Sequence, residues 1–421
     1  MSRVRRVAAL DLGTTKVCCA VADVEPDGLR VLGVGEVPSR GVRKGMIVEI
    51  ERAAEGVAEA LDVAERQSGV PISGAVVGIA GSHIASQNSR GLVAVAAGRR
   101  EVRHEDVGRA VEAARAIAVP SDREIVHVLP RSFTVDGQEG VRDALGMHGT
   151  RLGVEAHIVT GASTAIQNVV KVMHEAGLDV EDLVLQALAS AEAVVTEDEF
   201  ERGVVVADVG GGTTDVAVFA GGAIAHTAVL PVGGSHVTGD LAVGLRADLD
   251  TAEEVKRRVG HCLQLTVPAD ATVTITPMGY DEPAVVPQRY VAEVIGPRAR
   301  EMAELILAEI ERGGGTPAAL PGGLVLTGGG ALLRGFAEIC AQVVDLPVRV
   351  AAPQTLGEGL DEALDGPQHA TCVGLLRWAS RQRAGRFVRA SNGNGQGRAN
   401  GNGNGNSSVN ERFGRWLREL F

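Results

Sequence analysis

Runs of β-branched and small apolar residues, each broken by one aspartate and a Gly-Thr turn, occur twice along the chain. Residues 4–18 read VRRVAALDLGTTKVC and residues 204–219 read VVVADVGGGTTDVAVF. Aligned on Asp11 and Asp208, both show a strand-like run, Asp, an apolar residue, Gly, Thr-Thr and a second strand-like run; the later copy carries Gly211 and Gly212 in addition. β-Branched residues on both sides of such a turn predict a hairpin in each case. Repetition at this distance predicts two related halves that face one another.

Other stretches change period. HEDVGRAVEAARAI (104–117) has apolar positions three and four apart and lies between the strand-like runs VAVAA, IVHVLP and SFTVD, which predicts a compact α+β unit. TAEEVKRRVG (251–260) reads as a helix with Glu253 and Lys256 on one face. YVAEVIGPRAREMAELILAEIE (290–311) reads as a long helix. LVLTGGGALLRGF (324–336) is a strand and a glycine turn continued with helical spacing at Ala331, Leu332, Leu333, Phe336 and Ile339.

The chain has 421 residues, which predicts two or three structural units. Its formal net charge of -12 argues against a nucleic-acid partner. The five cysteines form no CxxC pair and are expected to be reduced and buried. The basic start, Met1 to Arg6, runs into an apolar stretch interrupted by Asp11 and Lys16, so it reads as a first strand and not as a signal peptide. No apolar run approaches the ~18 residues of a membrane span.

The paired turns carry the candidate chemistry. Glycines Gly13, Gly210, Gly211 and Gly212 let backbone N–H groups approach phosphate oxygens, and the hydroxyls of Thr14, Thr15, Thr213 and Thr214 add donors. Asp11 and Asp208 are placed to hold Mg²⁺ through its waters, and Lys16 to neutralise phosphate charge. A P-loop would instead run from strand into helix and end in Gly-Lys-Ser/Thr. Gly328, Gly329 and Gly330 are candidates for a flat base and its ribose. Glu253 and Lys256 are either ribose or adenine contacts or a solvated ion-paired face.

This order of phosphate hairpin, connecting helix, second hairpin and glycine turn is similar to that of the actin, sugar-kinase and Hsp70-type ATPases. Within that superfamily the chain resembles the FtsA family over nearly its whole length, through GIAGSHIASQNSRG (78–91), VDGQEGVRDALGMHGTRL (135–152), LPVGGSHVTGDLA (230–242), YVAEVIGPRARE (290–301) and HATCVGLLRWA (369–379). The resemblance implies an α/β actin-like fold of two halves around an ATP·Mg cleft, with a small α+β domain, 1C, in place of one actin subdomain. Laid over this chain it implies subdomain 1A at 1–83, 161–203 and 350–384, 1C at 84–160, 2A at 204–235 and 313–349, and 2B at 236–312. It further implies polymerisation, docking of later division proteins on 1C, and binding of the acidic C-terminal peptide of FtsZ to the long helix. Arg298 and Arg300 there are natural partners for carboxylates, unless they belong to a solvated charged face. Ala144 stands where relatives usually have Pro. Gln186 occupies the place at which the superfamily orients an attacking water. An amide is a poor general base, so at most slow hydrolysis is expected; the alternative is a plain helix-start residue.

After Arg389 the composition collapses to a Gly/Asn tract, so 385–408 is expected to be a disordered tether spanning roughly 25 Å. Beyond it, at 409–421, Phe413, Trp416, Leu417, Leu420 and Phe421 fall on one helical face, with Arg412, Arg415 and Arg418 off it. Such a segment suits the interface of an anionic membrane; the resemblance implies the cytoplasmic side and the division site. Docking on the protein's own core is the alternative. The competing functions are a PilM-like pilus-assembly adaptor and a sugar-kinase-type phosphotransferase.

Overall fold

The computed structural model describes residues 5–26, 28–96, 100–117, 119–354 and 361–391, with the side chains of the last helix described as far as Arg381. The tether from residue 392 and all the expected anchor residues, Arg412 to Phe421, lie outside the described residues.

The first apolar run forms β1 (Arg5–Leu12), which turns at the Gly-Thr motif into β2 (Lys16–Glu25) and continues through β3 (Gly28–Pro38). A small hairpin of β4 (Val42–Arg43) and β5 (Met46–Ile47) leads into α1 (Ile50–Ser68) and then β6 (Gly74–Ile79). Strand β1 pairs antiparallel with β2 and parallel with β6. The hairpin expectation therefore holds for the first copy.

The chain then leaves this sheet for the α+β unit: β7 (Ala85–Ala94), α2 (His104–Arg115), β8 (Arg123–Val135), β9 (Gln138–Val141) and β10 (Arg151–Ala162). Sheet order is β7-β10-β8-β9, and α2 packs its buried Val107, Ala110, Val111 and Ala114 on one face. Strand β7 starts earlier than the apolar run VAVAA suggests and takes up the polar stretch ASQNSRG. Ten residues paired in register with β10 outweigh its weak intrinsic preference. The runs IVHVLP and SFTVD are one strand, β8.

The first sheet is completed after α3 (Ser163–Glu175) by β11 (Asp179–Leu185), giving the order β11-β6-β1-β2-β3. Two helices follow, α4 (Gln186–Val194) and α5 (Glu197–Arg202), and then the second Gly-Thr hairpin, β12 (Val204–Val209) and β13 (Thr214–Ala220), continued by β14 (Ala223–Leu230). Beyond it lie α6 (Gly234–Leu245), α7 (Leu249–Val259), the short pair β15 (Thr272–Ile275) and β16 (Ala284–Pro287), and the long α8 (Gln288–Arg312), with Pro297 inside it. Strand β17 (Leu324–Thr327), α9 (Phe336–Val343), β18 (Val348–Val350) and α10 (Ala370–Ser391) end the described chain. The second sheet has the order β14-β13-β12-β17-β18, with β12 antiparallel to β13 and parallel to β17. The two halves thus repeat one topology, as the sequence repeat predicts. The spacing read as one helix after Gly330 is instead a 3-10 turn, Gly329–Leu332, and then α9, because Gly335 takes φ 81° between them.

Alternation decides what each strand offers to either side. Val7 and Ala9 of β1, with Val204 and Val206 of β12, pack into one core together with α4 and α10. Ala8, Leu10 and Leu12 face the opposite way, towards α1 and α3, while Val205, Ala207 and Val209 face the side of α8 and α9. Helices α4 and α10 accordingly lie between the two sheets. Helix α4 is buried almost all round, which its small residues Ala187, Ala189, Ala191 and Ala193 permit. Its crossing with α10 is close: a Cβ on Gly374 would lie 1.7 Å from the Ala189 carbonyl oxygen. Helix α10 runs to Ser391, past residue 385 where the tether is expected to start, since its Ala/Arg-rich end is compatible with a helix and the Gly/Asn tract follows.

Candidate functional site

Each Gly-Thr turn is closed by its own backbone, Gly13 N–H to the Lys16 carbonyl and Gly210 N–H to the Thr213 carbonyl, both 2.9 Å. The turns meet across the gap between the sheets. A Cβ on Gly211 would lie 2.4 Å from Thr15 Cγ2, and one on Gly212 would lie 2.5 Å from Thr14 Oγ1 and 2.9 Å from Lys44 Cα. Only glycine allows this approach. The small β4–β5 hairpin adds a third edge, where Gly45 N–H donates to Thr14 Oγ1 at 3.1 Å. Helix α6 starts against the second turn, with Gly234 N–H and Ser235 N–H donating to the Gly210 and Gly211 carbonyls.

The alternation that sends Ala9 and Val206 into the shared core also sends Asp11 and Asp208 there, one residue pair further along each strand. Asp11 Oδ1 accepts from Gln186 Nε2 at 2.9 Å. Asp208 Oδ2 accepts from Ser190 Oγ of α4 at 2.5 Å and from Thr371 Oγ1 of α10 at 2.9 Å. Asp215 stands opposite Asp208 in the β12–β13 pair, and its Oδ1 is buried without a hydrogen-bond partner. Burial pushes the Asp11 carboxyl up to about 7, with Lys16 opposing the rise and Asp208 adding to it. Burial likewise raises Asp208, against the hydrogen bonds from Ser190 and Thr371. It raises Asp215 well above the carboxylate range, the Asp208 charge contributing. Three carboxyl groups are thus held where water solvates them poorly, a surplus of buried acid that a nearby cation would relieve.

Lys16 Nζ donates to Glu36 Oε2 at 2.7 Å, and His369 Nε2 donates to the same oxygen at 2.8 Å. The His369 bond, more than the Lys16 bond and charge, brings the Glu36 carboxyl down to about 2. Glu253 and Lys256 are joined at 2.6 Å, the ion pair that the alternative reading expects. Lys256 Nζ also donates to the Gly234 carbonyl and to Thr238 Oγ1, fixing α7 on the start of α6 beside the second turn. Gly328 and Gly330 lie against the end of β12; a Cβ on either would come within 2.4 Å of Asp208 Oδ1 or Val209 Cγ1. The structure therefore gathers Asp11, Gly13 to Lys16, Gln186, Asp208, Gly210 to Thr214, Glu253, Lys256 and Gly328 to Gly330 around one cleft.

Sequence reasoning missed Glu36, Ser190, Asp215, His369 and Thr371. Asp215 alone had a signal, because the repeat aligns it with Lys16. Arg298 and Arg300 lie away from the cleft on α8. Arg298 is held by Asp240 at 2.7 and 3.1 Å and by Glu301, while Arg300 reaches Gln342 at 3.4 Å. At the junction of the inserted sheet, Leu185 N–H donates to His127 Nε2 at 3.0 Å, immediately before Gln186. Burial holds that imidazole down at about 4, and its ring stands edge-on to Trp378 of α10. All five cysteines are free and buried, as expected. Among the described residues no helix is long and apolar enough to cross a membrane.

Comparison with known proteins agrees with this arrangement. A family model for "Cell division protein FtsA" matches residues 205–374, and one for the "SHS2 domain inserted in FTSA" matches residues 81–160. The chain is 40% identical to the cell division protein FtsA of Pseudomonas aeruginosa, over 99% of this chain and 98% of that protein. It is 38% identical to the Bacillus subtilis protein of that name over 89% of this chain and 83% of the relative, and 35% identical to the Escherichia coli one over 99% and 98%. Among solved structures, a PilM-PilN type IV pilus biogenesis complex matches at TM-score 0.64 and 19% identity, covering 89% of this chain and 98% of that one. MreB5 of Spiroplasma citri bound to ADP matches at TM-score 0.52 and 17% identity, covering 92% and 99%. These last two show the fold, which is actin-like.

Proposed function

Because this chain belongs to the FtsA family of cell division proteins, we propose that it binds ATP in the cleft, polymerises on the inner membrane surface and tethers FtsZ there. The observation that carries the nucleotide part is the contact of the two glycine turns over Asp11 and Asp208. The solved MreB5 structure of the same fold holds ADP, which supports a nucleotide as the ligand here. In this reading phosphates lie between Gly13–Lys16 and Gly210–Thr214, and the glycines at 328–330 with Glu253 and Lys256 meet the nucleoside.

Mg²⁺ fits the donor set, since the buried carboxyl groups and the unpartnered Asp215 Oδ1 are hard oxygen donors in need of charge. Among the described residues no three such groups converge tightly enough to ligate an ion directly, so its own waters would bridge to Asp11 and Asp208. The ion would neutralise phosphate charge. Gln186, tied to Asp11, can orient a water but cannot accept its proton, which fits slow hydrolysis at most.

The inserted unit, read as 84–160, is the proposed docking surface for later division proteins, and α8 the FtsZ surface. Arg300 is the more accessible cation there, because Arg298 is already engaged by Asp240. The decisive experiment mixes the full chain, FtsZ and Mg-ATP with phosphatidylglycerol vesicles and sediments the vesicles. FtsZ should enter the pellet only when this chain is present and only if FtsZ keeps its acidic C-terminal peptide. FtsZ left in the supernatant would overturn the tethering role. Binding of a type IV pilus component in its place would favour the pilus adaptor.

A further inference from the structure

We propose that Lys44, at the tip of the β4–β5 hairpin, binds the terminal phosphate of the nucleotide and so makes the cleft prefer a triphosphate to a diphosphate. The inference rests on the nucleotide reading above. Three independent observations carry it.

The first is residue choice. Of the 41 cationic side chains only four are lysines, Lys16, Lys44, Lys171 and Lys256; arginine fills every other position. Lys16 and Lys256 lie at the cleft, and Lys171 forms an ion pair with Glu175 on the surface of α3. Lys44 is the remaining one. A lysine ammonium binds phosphate as a compact point charge.

The second is backbone. Lys44 takes φ 52°, a left-handed conformation that a long side chain adopts at a cost, although glycines stand close by at 41 and 45. With Gly45 at φ 71° it forms the two-residue turn of the hairpin, which fixes Lys44 at the tip.

The third is place. The Lys44 Cα abuts Gly212, and the next residue donates its N–H to Thr14, so this residue sits where both phosphate turns converge. Among the described residues Lys44 has no ion pair or side-chain hydrogen bond, whereas the other three lysines each have a carboxylate partner. Its charge is felt in the first turn of α6, where burial and then Lys44 lower the His236 imidazole below its ordinary value. The candidate nucleoside contacts, Gly328 to Gly330, Glu253 and Lys256, all belong to the second half. A phosphate chain that starts there and runs towards the first half ends beside Thr14 and Lys44.

The test is calorimetric titration of the full chain with Mg-ATP and with Mg-ADP. Lys44→Met should weaken ATP binding about tenfold or more, the usual loss for a charge-assisted contact, and leave ADP binding nearly unchanged. Lys171→Met should change neither. A Lys44→Met protein with the unaltered ATP to ADP ratio, whether both affinities stay or both fall together, overturns the assignment. An unmodified protein that binds neither nucleotide overturns the nucleotide reading itself, and the Lys44 role with it.

Discussion

Asp11 is a carboxyl group whose surroundings oppose its ionisation: burial lifts it from 3.8 to about 7. A raised folded-state value means that the folded chain holds this proton more tightly than the unfolded one. The associated stability is fully present below the unfolded value near pH 4 and is lost as pH rises through about 7. We predict that Asp11→Asn, which keeps an oxygen to accept from Gln186, stabilises the nucleotide-free protein at pH 8 by about 4 kcal/mol. Urea unfolding at pH 5 and pH 8 would show it as a reduced loss between the two; an unchanged pH slope would disprove the buried-charge account. The same variant should bind Mg-ATP much more weakly. Asp11 and Asp208 were legible in the sequence because strand alternation and the repeat fix which face they take. Ser190 and Thr371 were not, because they reach Asp208 from two different helices, Thr371 from 163 residues away, with no local pattern to mark the meeting.

At the scale of elements, α4 and α10 connect the halves. Gly374 lets α10 lie against Ala189 of α4, and each helix places a hydroxyl on Asp208 within one turn of that contact. Gly374→Ala is expected to push the helices apart and to cost about 1–3 kcal/mol through overpacking. Nucleotide affinity should fall along with the melting temperature, because Ser190 and Thr371 separate. A variant that melts lower yet binds ATP normally would show that the helices support the fold without setting the site. Helices α2, α7 and α8 were readable from their residue spacing, but the polar strand β7 and the break before α9 were not. Pairing with β10 and a left-handed Gly335 decide them, and both are tertiary or single-residue effects.

For the whole molecule, the duplicated topology puts the two glycine turns at equivalent ends of equivalent sheets, so a cleft between the halves follows from the repeat itself. The proposed anchor would bind weakly as a single short amphipathic segment and gain strength when many are arrayed. Vesicle binding should therefore rise more steeply than in proportion to protein concentration, and Trp416→Glu should abolish it in a flotation assay. Binding retained by that variant would rule out the tail as anchor. Helix α10 bears on this in a mechanical sense. Thr371, on the Asp208 carboxylate, and Ser391, where the described helix ends, lie 20 residues apart on one helix, about 30 Å along a stiff rod. Any pull on the chain beyond Ser391 is delivered along that rod, and its far end is the carboxylate of the cleft.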